Sequence, residues 1–211
     1  MVTKAAALKE VVMNKNLKII LIIVGSIIAA TSIFSVLGFL FIYSAQPVEI
    51  GAIDKRILVG PNEIAPYFEG FVPNSDDIRC KKVKFIDQST ELTLSYDSED
   101  EEHPFINVNI SHELKLSDAF ATYVMQWNAS ILGFNIGDSG IEVREDNSFV
   151  QIGDKSRFGF IEYNGRRTGN ILVFMKGNNI YTFIITGFYF NSQDILSELF
   201  DTRVELLKNF N

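Results

Sequence analysis

Cysteine is almost absent from this chain of 211 residues, in which Cys80 is the single one. One cysteine excludes an internal disulfide, so the fold must rest on its hydrophobic core. Histidine is nearly as scarce, and two residues make a zinc site a poor expectation. The sequence also contains no Gly-x-Ser-x-Gly, His-Glu-x-x-His or phosphate-loop motif. These absences predict a protein that is not an enzyme and holds no cofactor.

Charge is missing from one long stretch, residues 19–43, which reads IILIIVGSIIAATSIFSVLGFLFIY. As a helix it would be about 37 Å long, enough to cross a hydrocarbon core of about 30 Å. A cleaved signal peptide has a shorter apolar region and small residues at the cleavage site, whereas here Tyr43 precedes Ser44 and Ala45. We therefore predict a retained, single-pass transmembrane helix that acts as a signal-anchor.

The charges that flank this stretch predict its orientation. Four lysines and one glutamate precede it, and the first charged residues after it are Glu49 and Asp54. Because positive charge stays on the cytoplasmic side, we expect a cytoplasmic N-terminus, a cell-membrane location and an extracytoplasmic C-terminal domain.

Small residues occur within the apolar stretch at a spacing of four. Gly25 and Ala29 form one such pair, and Ser26 and Ala30 form another. This spacing lets a second helix approach closely, although small residues are also common in membrane helices generally. We predict the lipid bilayer and other subunits of a membrane complex as partners, with this helix as a candidate contact to those subunits. The net charge of −7 argues against nucleic acid as a partner.

The pattern after the apolar stretch predicts an α+β fold. Residues 44–80 hold four of the five prolines and suggest a stalk and entry segment. From there on, apolar residues alternate with polar ones in several short runs, and Asn164-Gly165 is a strong hairpin signal. Two stretches with helical spacing, around Trp127 and after Ser192, interrupt and follow these strands.

The expected organisation thus has four parts. Residues 1–18 form a cytoplasmic tail, 19–43 the transmembrane helix, 44–80 the stalk, and 81–211 an extracytoplasmic domain. The predicted fold class is a transmembrane helix followed by an antiparallel β-sheet with two packed helices, in the order meander, helix, meander, helix.

Three passages resemble the PsbP-like fold over residues 105–210. They are SDAFATYVMQWNASILGF, GNILVFMKGNNIYTFIITG and DILSELFDTRVELLKNF. The resemblance covers about half of the chain and rests on the order of helix, long strands and C-terminal helix. It implies an extrinsic, non-enzymatic protein that is accessory to a membrane complex, and it transfers no site residue.

One loop concentrates negative charge in the sequence YDSEDEEHPF. Its carboxylates are the candidates for a calcium site: Asp97, Glu99, Asp100, Glu101 and Glu102. Calcium needs oxygen ligands that converge on one point, and this run lacks the spacing of an EF-hand loop. A solvated loop is the alternative interpretation.

The single cysteine and two asparagines are further candidate sites. Cys80 lies among cations that would lower the pKa of its thiol, which would suit a catalytic thiol. The alternative interpretation is an ordinary cysteine at a strand edge. Asn109 and Asn128 each begin an Asn-x-Ser triplet and are candidate glycosylation sites.

The sequence therefore predicts a membrane-anchored, extracytoplasmic accessory or interaction subunit of a larger assembly. The alternative is a small-ligand-binding or sensory module that uses a groove between the sheet and the Trp127 helix. A hydrolase with a constellation hidden in the fold is a third reading.

Overall fold

The computed structural model describes residues 45–97, 104–137, 140–149 and 151–211. Their strands are β1 Gln46–Pro47, β2 Ile78–Lys84, β3 Thr90–Tyr96, β4 Phe105–His112, β5 Ile141–Glu145, β6 Lys155–Tyr163, β7 Arg166–Lys176 and β8 Asn179–Thr186. Their α-helices are α1 Ala52–Ile57, α2 Pro61–Ile64, α3 Leu116–Gly137 and α4 Gln193–Leu207.

All eight strands join one antiparallel sheet in the order β1-β2-β3-β4-β8-β7-β6-β5. The first meander ends at β4, α3 crosses to β5, and the second meander returns so that β8 lies beside β4. Strand β8 is apolar on both faces, which suits this central position between two neighbours. The two meanders predicted from the alternation therefore form one continuous sheet.

Each face of the sheet carries its own apolar cluster. One face packs against α4 and the segment before β2, with the rings of Phe174, Tyr181 and Phe200 in mutual contact. The other face packs against α3 over the second meander, where Trp127 is completely buried. Because α3 contacts β5, β7 and β8, the corresponding face of β3 carries half-buried polar residues, and that of β2 carries the exposed Arg79 and Lys81.

The predicted fold class, a transmembrane helix followed by a sheet with two packed helices, is wrong. The described residues form an eight-stranded sheet with four α-helices. No helix within that part of the chain is both long enough and apolar enough to cross a membrane. The predictions of a membrane protein, a single-pass topology and a signal-anchor are wrong for the same reason. Residues 19–43 lie outside the described residues.

Within the predicted stalk and entry segment, residues 44–80, the described part 45–80 contains β1, α1, α2, two 3₁₀ turns and the start of β2. Pro61 occupies the first turn of α2, where the missing N–H of proline removes no helical hydrogen bond. The side chains of Ile57, Val59 and Ile64 are completely buried in the sheet's core. Proline therefore starts a helix here instead of marking an extended linker.

A hydroxyl of the sheet holds this segment in place. The buried Tyr181 hydroxyl accepts a hydrogen bond from the Val59 backbone N–H at 3.0 Å and donates one to the Ile57 carbonyl at 3.2 Å. Burial raises the pKa of Tyr181 far above its usual range, so the phenol stays protonated and keeps donating. These two hydrogen bonds tie the turn between α1 and α2 to β8 of the sheet.

Candidate interaction site at the outer edge of strand β2

Strand β2 has an outer edge that is only partly covered. The two-residue strand β1 pairs with Val83 and Lys84, and the Val48 N–H donates to the Lys82 carbonyl at 2.9 Å. Within the described residues, no strand lies beside residues 78–81 on that side. An uncovered strand edge is a ready template for another extended chain.

The backbone direction along β2 shows which groups face this edge. The Lys82 carbonyl points outward, toward Val48, and the backbone of alternate residues points to the same side. Cys80 therefore directs both its N–H and its C=O outward, and Ile78 directs its C=O there. The Ile78 N–H is already bonded to the Ser75 carbonyl. The free edge thus offers one donor flanked by two acceptors.

A cavity of about 280 Å³ opens beside this edge. We call it the edge pocket, and its apolar lining is Ile50, Leu58, Pro61, Ile78, Cys80 and Leu94. Lys55 and Glu63 also line it. Cys80 and Leu94 are cross-strand partners and so share one face of the sheet, the face on which α1 and α2 lie.

Gly60 allows the turn between α1 and α2 to approach the sheet at the edge pocket. A Cβ atom at this position would lie 3.2 Å from the Leu94 Cδ1 atom and 3.3 Å from a Glu63 carboxylate oxygen. That same carboxylate oxygen accepts the Gly60 N–H at 2.9 Å, which caps α2. The pocket's inner wall is therefore held by a backbone turn and not by a mobile side chain.

The two faces of β2 differ in charge at this edge. Arg79 and Lys81 are exposed and point away from the edge pocket, because their cross-strand partners Ser95 and Thr93 lie on the open face. Lys82 points to the core face instead, where its ammonium binds Asp54 at 3.0 Å. The edge therefore combines an apolar pocket on one face with two cations on the other.

The surroundings of Cys80 do not activate its thiol. Burial raises the pKa of Cys80, and this effect outweighs the opposing charge of Lys55. The neighbouring cations in the sequence do not help, since Arg79 and Lys81 lie on the opposite face and Lys82 is paired with Asp54. A protonated thiol at neutral pH is a poor nucleophile.

We expect the native Cys80 thiol to be alkylated more slowly than the same thiol in the unfolded chain at pH 7. The raised pKa leaves less thiolate, so the rate should climb with pH and reach its half-maximum above the free-thiol value of about 8.5. Mass spectrometry of timed iodoacetamide reactions, with and without urea, measures both rates. A native thiol that reacts as fast as the unfolded one would contradict this environment.

Most other predicted site residues fall outside the described residues. This holds for Glu99 to Glu102 in the acidic loop and for the helix-packing residues Gly25, Ser26, Ala29 and Ala30. Asp97 is described and follows β3 directly. Among the described residues, no group of three histidine, cysteine, aspartate or glutamate side chains is placed to hold a metal ion.

The two candidate glycosylation sites have different environments. The Asn109 amide donates to Glu91 at 2.6 Å, and its oxygen accepts from Ser111 at 3.1 Å and Gln126 at 3.2 Å. Asn128 is exposed on α3. Attachment of a glycan at Asn109 would therefore break a hydrogen-bonded network between β3, β4 and α3, whereas the Asn128 side chain makes no hydrogen bond to another described residue.

The side of α3 that carries Trp127 is filled by protein. Trp127 is completely buried, the Arg157 guanidinium lies 4.6 Å from its ring centroid, and Arg157 makes two hydrogen bonds of 2.7 Å to Glu145. Gly159 lies directly beneath, where a Cβ atom would stand 3.3 Å from the indole. These contacts surround the Trp127 ring, and the small-ligand-binding alternative stays a prediction.

Sequence reasoning missed the edge pocket because its lining comes from three separated stretches. Ile50, Leu58 and Pro61 precede β2, whereas Ile78 and Cys80 lie within it and Leu94 lies on β3. One signal was available in the alternation of Ile78, Cys80 and Lys82 with Arg79 and Lys81. A lysine in this row is typical of a solvent-exposed face, so the pattern alone does not predict that Ile78 and Cys80 line a pocket.

Known proteins offer no guide to the role of this edge. No family model matches the chain, and neither a curated protein nor a solved structure matches it significantly. The PsbP-like resemblance, the extracytoplasmic location, the membrane-complex partners and the absence of enzymatic activity therefore stay predictions. The function of the domain has to be argued from the geometry of its own residues.

Proposed function

We propose that this protein is a non-enzymatic interaction subunit that binds an extended segment of another protein along the outer edge of β2. The observation that carries the proposal is the outward backbone of Cys80, which no described strand pairs with and which lies directly beside the edge pocket. Strand addition uses both features, since main-chain hydrogen bonds supply affinity and a pocket for alternate side chains supplies specificity.

The position of the edge pocket favours a peptide over a free small molecule. The cavity of about 280 Å³ opens beside the outward backbone of Cys80, so a strand that pairs with this backbone would bring its side chains to the pocket. An apolar side chain of a docked strand would fill such a space. Its lining is mostly apolar, which makes the burial of an aliphatic or aromatic side chain favourable.

The decisive variant is Cys80→Pro. Proline removes the outward N–H of Cys80 and places its ring at the free edge, while the β2–β3 hydrogen bonds come from the flanking residues. Cys80→Val is the matched control, since valine keeps the N–H and favours a strand. Both variants lose the thiol, so any difference between them reports the backbone donor.

We expect a photo-crosslinking residue at position 81 to yield a defined protein adduct in the source cells in the Cys80→Val background. The adduct should disappear in the Cys80→Pro background, because the partner strand loses its hydrogen-bond donor. Electrophoresis and mass spectrometry identify the adduct, and the same residue at position 142 on the opposite edge strand β5 serves as the spatial control. An adduct that survives Cys80→Pro, or none in the Cys80→Val protein, would contradict the proposal.

A further inference from the structure

We infer that the strand bound at this edge alternates acidic and apolar residues, with its carboxylates facing Arg79 and Lys81 and an apolar side chain in the edge pocket. This inference rests on the proposed function and names the chemistry of the partner. It follows from the different side chains on the two faces of β2, because each residue of an added strand would lie on the same face as the β2 residue opposite it.

The register of a sheet fixes which side chains meet. Neighbouring strands place opposed side chains on the same face, with Cβ atoms about 4.5–5.5 Å apart. Residues of an added strand that lie opposite Ile78 and Cys80 would therefore face the edge pocket. The residues between them would face the open side of the sheet, beside Arg79 and Lys81.

The positive charge on that open side favours a partner strand whose facing side chains are negatively charged. Arg79 and Lys81 are exposed, and no ion pair within the described part of the chain engages either of them. They stand out on a chain whose net charge is −7. Opposite charges across a strand pair stabilise it and like charges destabilise it, so aspartate or glutamate is expected at the facing positions.

The same two cations disfavour a second copy of this chain as the occupant. If two β2 strands paired antiparallel about Cys80, Arg79 of one copy would lie opposite Lys81 of the other. Each copy would then meet like charge at two positions, and basic side chains of this kind are a common way to prevent edge-to-edge pairing. A heterologous acidic strand removes that repulsion.

The opposite face of the added strand requires an apolar residue. The edge pocket presents Leu58, Pro61 and Leu94 to the space next to Cys80. A polar side chain placed there would lose its hydration without a matching set of partners. An acidic residue on one face and an aliphatic or aromatic residue on the other thus gives the alternating pattern.

The test uses short fluorescein-labelled peptides with the folded protein, and fluorescence anisotropy measures their affinity. A peptide of alternating glutamate and valine is compared with a lysine–valine peptide, which reverses the charge, and with a glutamate–serine peptide, which removes the apolar face. We expect the glutamate–valine peptide to bind wild-type protein at least tenfold more tightly than either control. Its affinity should fall as salt concentration rises.

A charge swap separates specific recognition from general attraction. In the double variant Arg79→Glu/Lys81→Glu, the preference should reverse toward the lysine–valine peptide. Cys80→Pro should abolish binding, and Cys80→Val should retain it. Alkylation of the single cysteine with N-ethylmaleimide is a second block that fills the edge pocket without changing the sequence, so the test stands even if Cys80→Pro does not fold.

Each outcome decides between the partner chemistry and the proposed function. Equal affinity for the three peptides, an unchanged preference in the charge-swapped variant, or binding that survives alkylation would overturn the inferred chemistry. If the peptides fail while the cellular adduct still depends on Cys80→Pro, the partner chemistry is wrong and the interaction function stands. If sedimentation shows a dimer that Cys80→Pro dissolves, the occupant is a second copy and the inference is wrong.

Discussion

Replacing Gly169 with alanine is expected to destabilise the domain by about 3 kcal/mol, the upper part of the usual range for overpacking. Gly169 lies in β7, between Ile161 on β6 and Thr186 on β8. A Cβ atom there would stand 2.2 Å from the Ile185 carbonyl oxygen and 3.1 Å from the Thr186 Cα atom. Both neighbours are backbone atoms of the central strand, so they cannot turn aside as a side chain would.

A bulge explains why the chain comes so close at Gly169. The pairing between β6 and β7 shifts after Ile161, so that Glu162 pairs with Arg167 and Thr168 is the additional residue. Bulges increase the local twist of a strand. At this position β7 lies so close to the β8 backbone that a Cβ atom would overlap the Ile185 carbonyl oxygen, and only glycine leaves room for the approach.

The matched control for Gly169→Ala is Gly133→Ala. Gly133 lies in α3, and a Cβ atom added there meets nothing within 4 Å. Alanine is favoured over glycine in a helix by about 1 kcal/mol, so this variant should be more stable than the wild type. Thermal unfolding followed by circular dichroism should show a lower Tm for Gly169→Ala, by about 6–12 °C. Equal Tm values for Gly169→Ala and the wild type would show that the sheet accommodates the methyl group.

The sequence predicts the strands well where one face of the strand is buried and the other faces solvent. In β3 the buried residues Leu92, Leu94 and Tyr96 alternate with Glu91, Thr93 and Ser95, and the structure has this alternation along the whole strand. The sequence does not predict the order of the strands, because alternation says which face is buried and nothing about neighbours. The β4–β8 contact that merges the two meanders depends on residues about 70 positions apart.

Strand β2 shows how a tertiary contact overrides the pattern. Val83 alternates with Lys82 and Lys84, which suggests that the lysines face water. In the structure Lys82 lies on the core face opposite Leu92, because Asp54 of α1 supplies a negative charge there. Such compensation by a residue 28 positions away cannot be recognised from a local pattern. The candidate site was hidden for the same reason, since the edge pocket depends on where α1 and α2 pack.

Replacing Lys82 with methionine is expected to destabilise the domain by about 3 kcal/mol, at the lower end of the cost of breaking a buried ion pair. The Lys82 side chain is 11% exposed and that of Asp54 is 8% exposed. The ammonium lies 3.0 and 3.2 Å from the two carboxylate oxygens. Without the ammonium, the buried Asp54 carboxylate keeps one hydrogen-bond partner among the described residues, the Gly51 N–H at 2.7 Å.

Lys84→Met is the matched control, because Lys84 lies on the same strand and face but is exposed. Its substitution should change the free energy of unfolding by less than about 0.5 kcal/mol. Urea unfolding of the two variants measures the difference, and equal losses of stability would show that the ion pair contributes nothing specific.

The loss of the ion pair in Lys82→Met also has a local consequence, since Asp54 belongs to α1 and its neighbours Lys55 and Leu58 line the edge pocket. Alkylation of Cys80 should therefore speed up in Lys82→Met and stay unchanged in Lys84→Met, which would tie the stability of this ion pair to the shape of the binding edge.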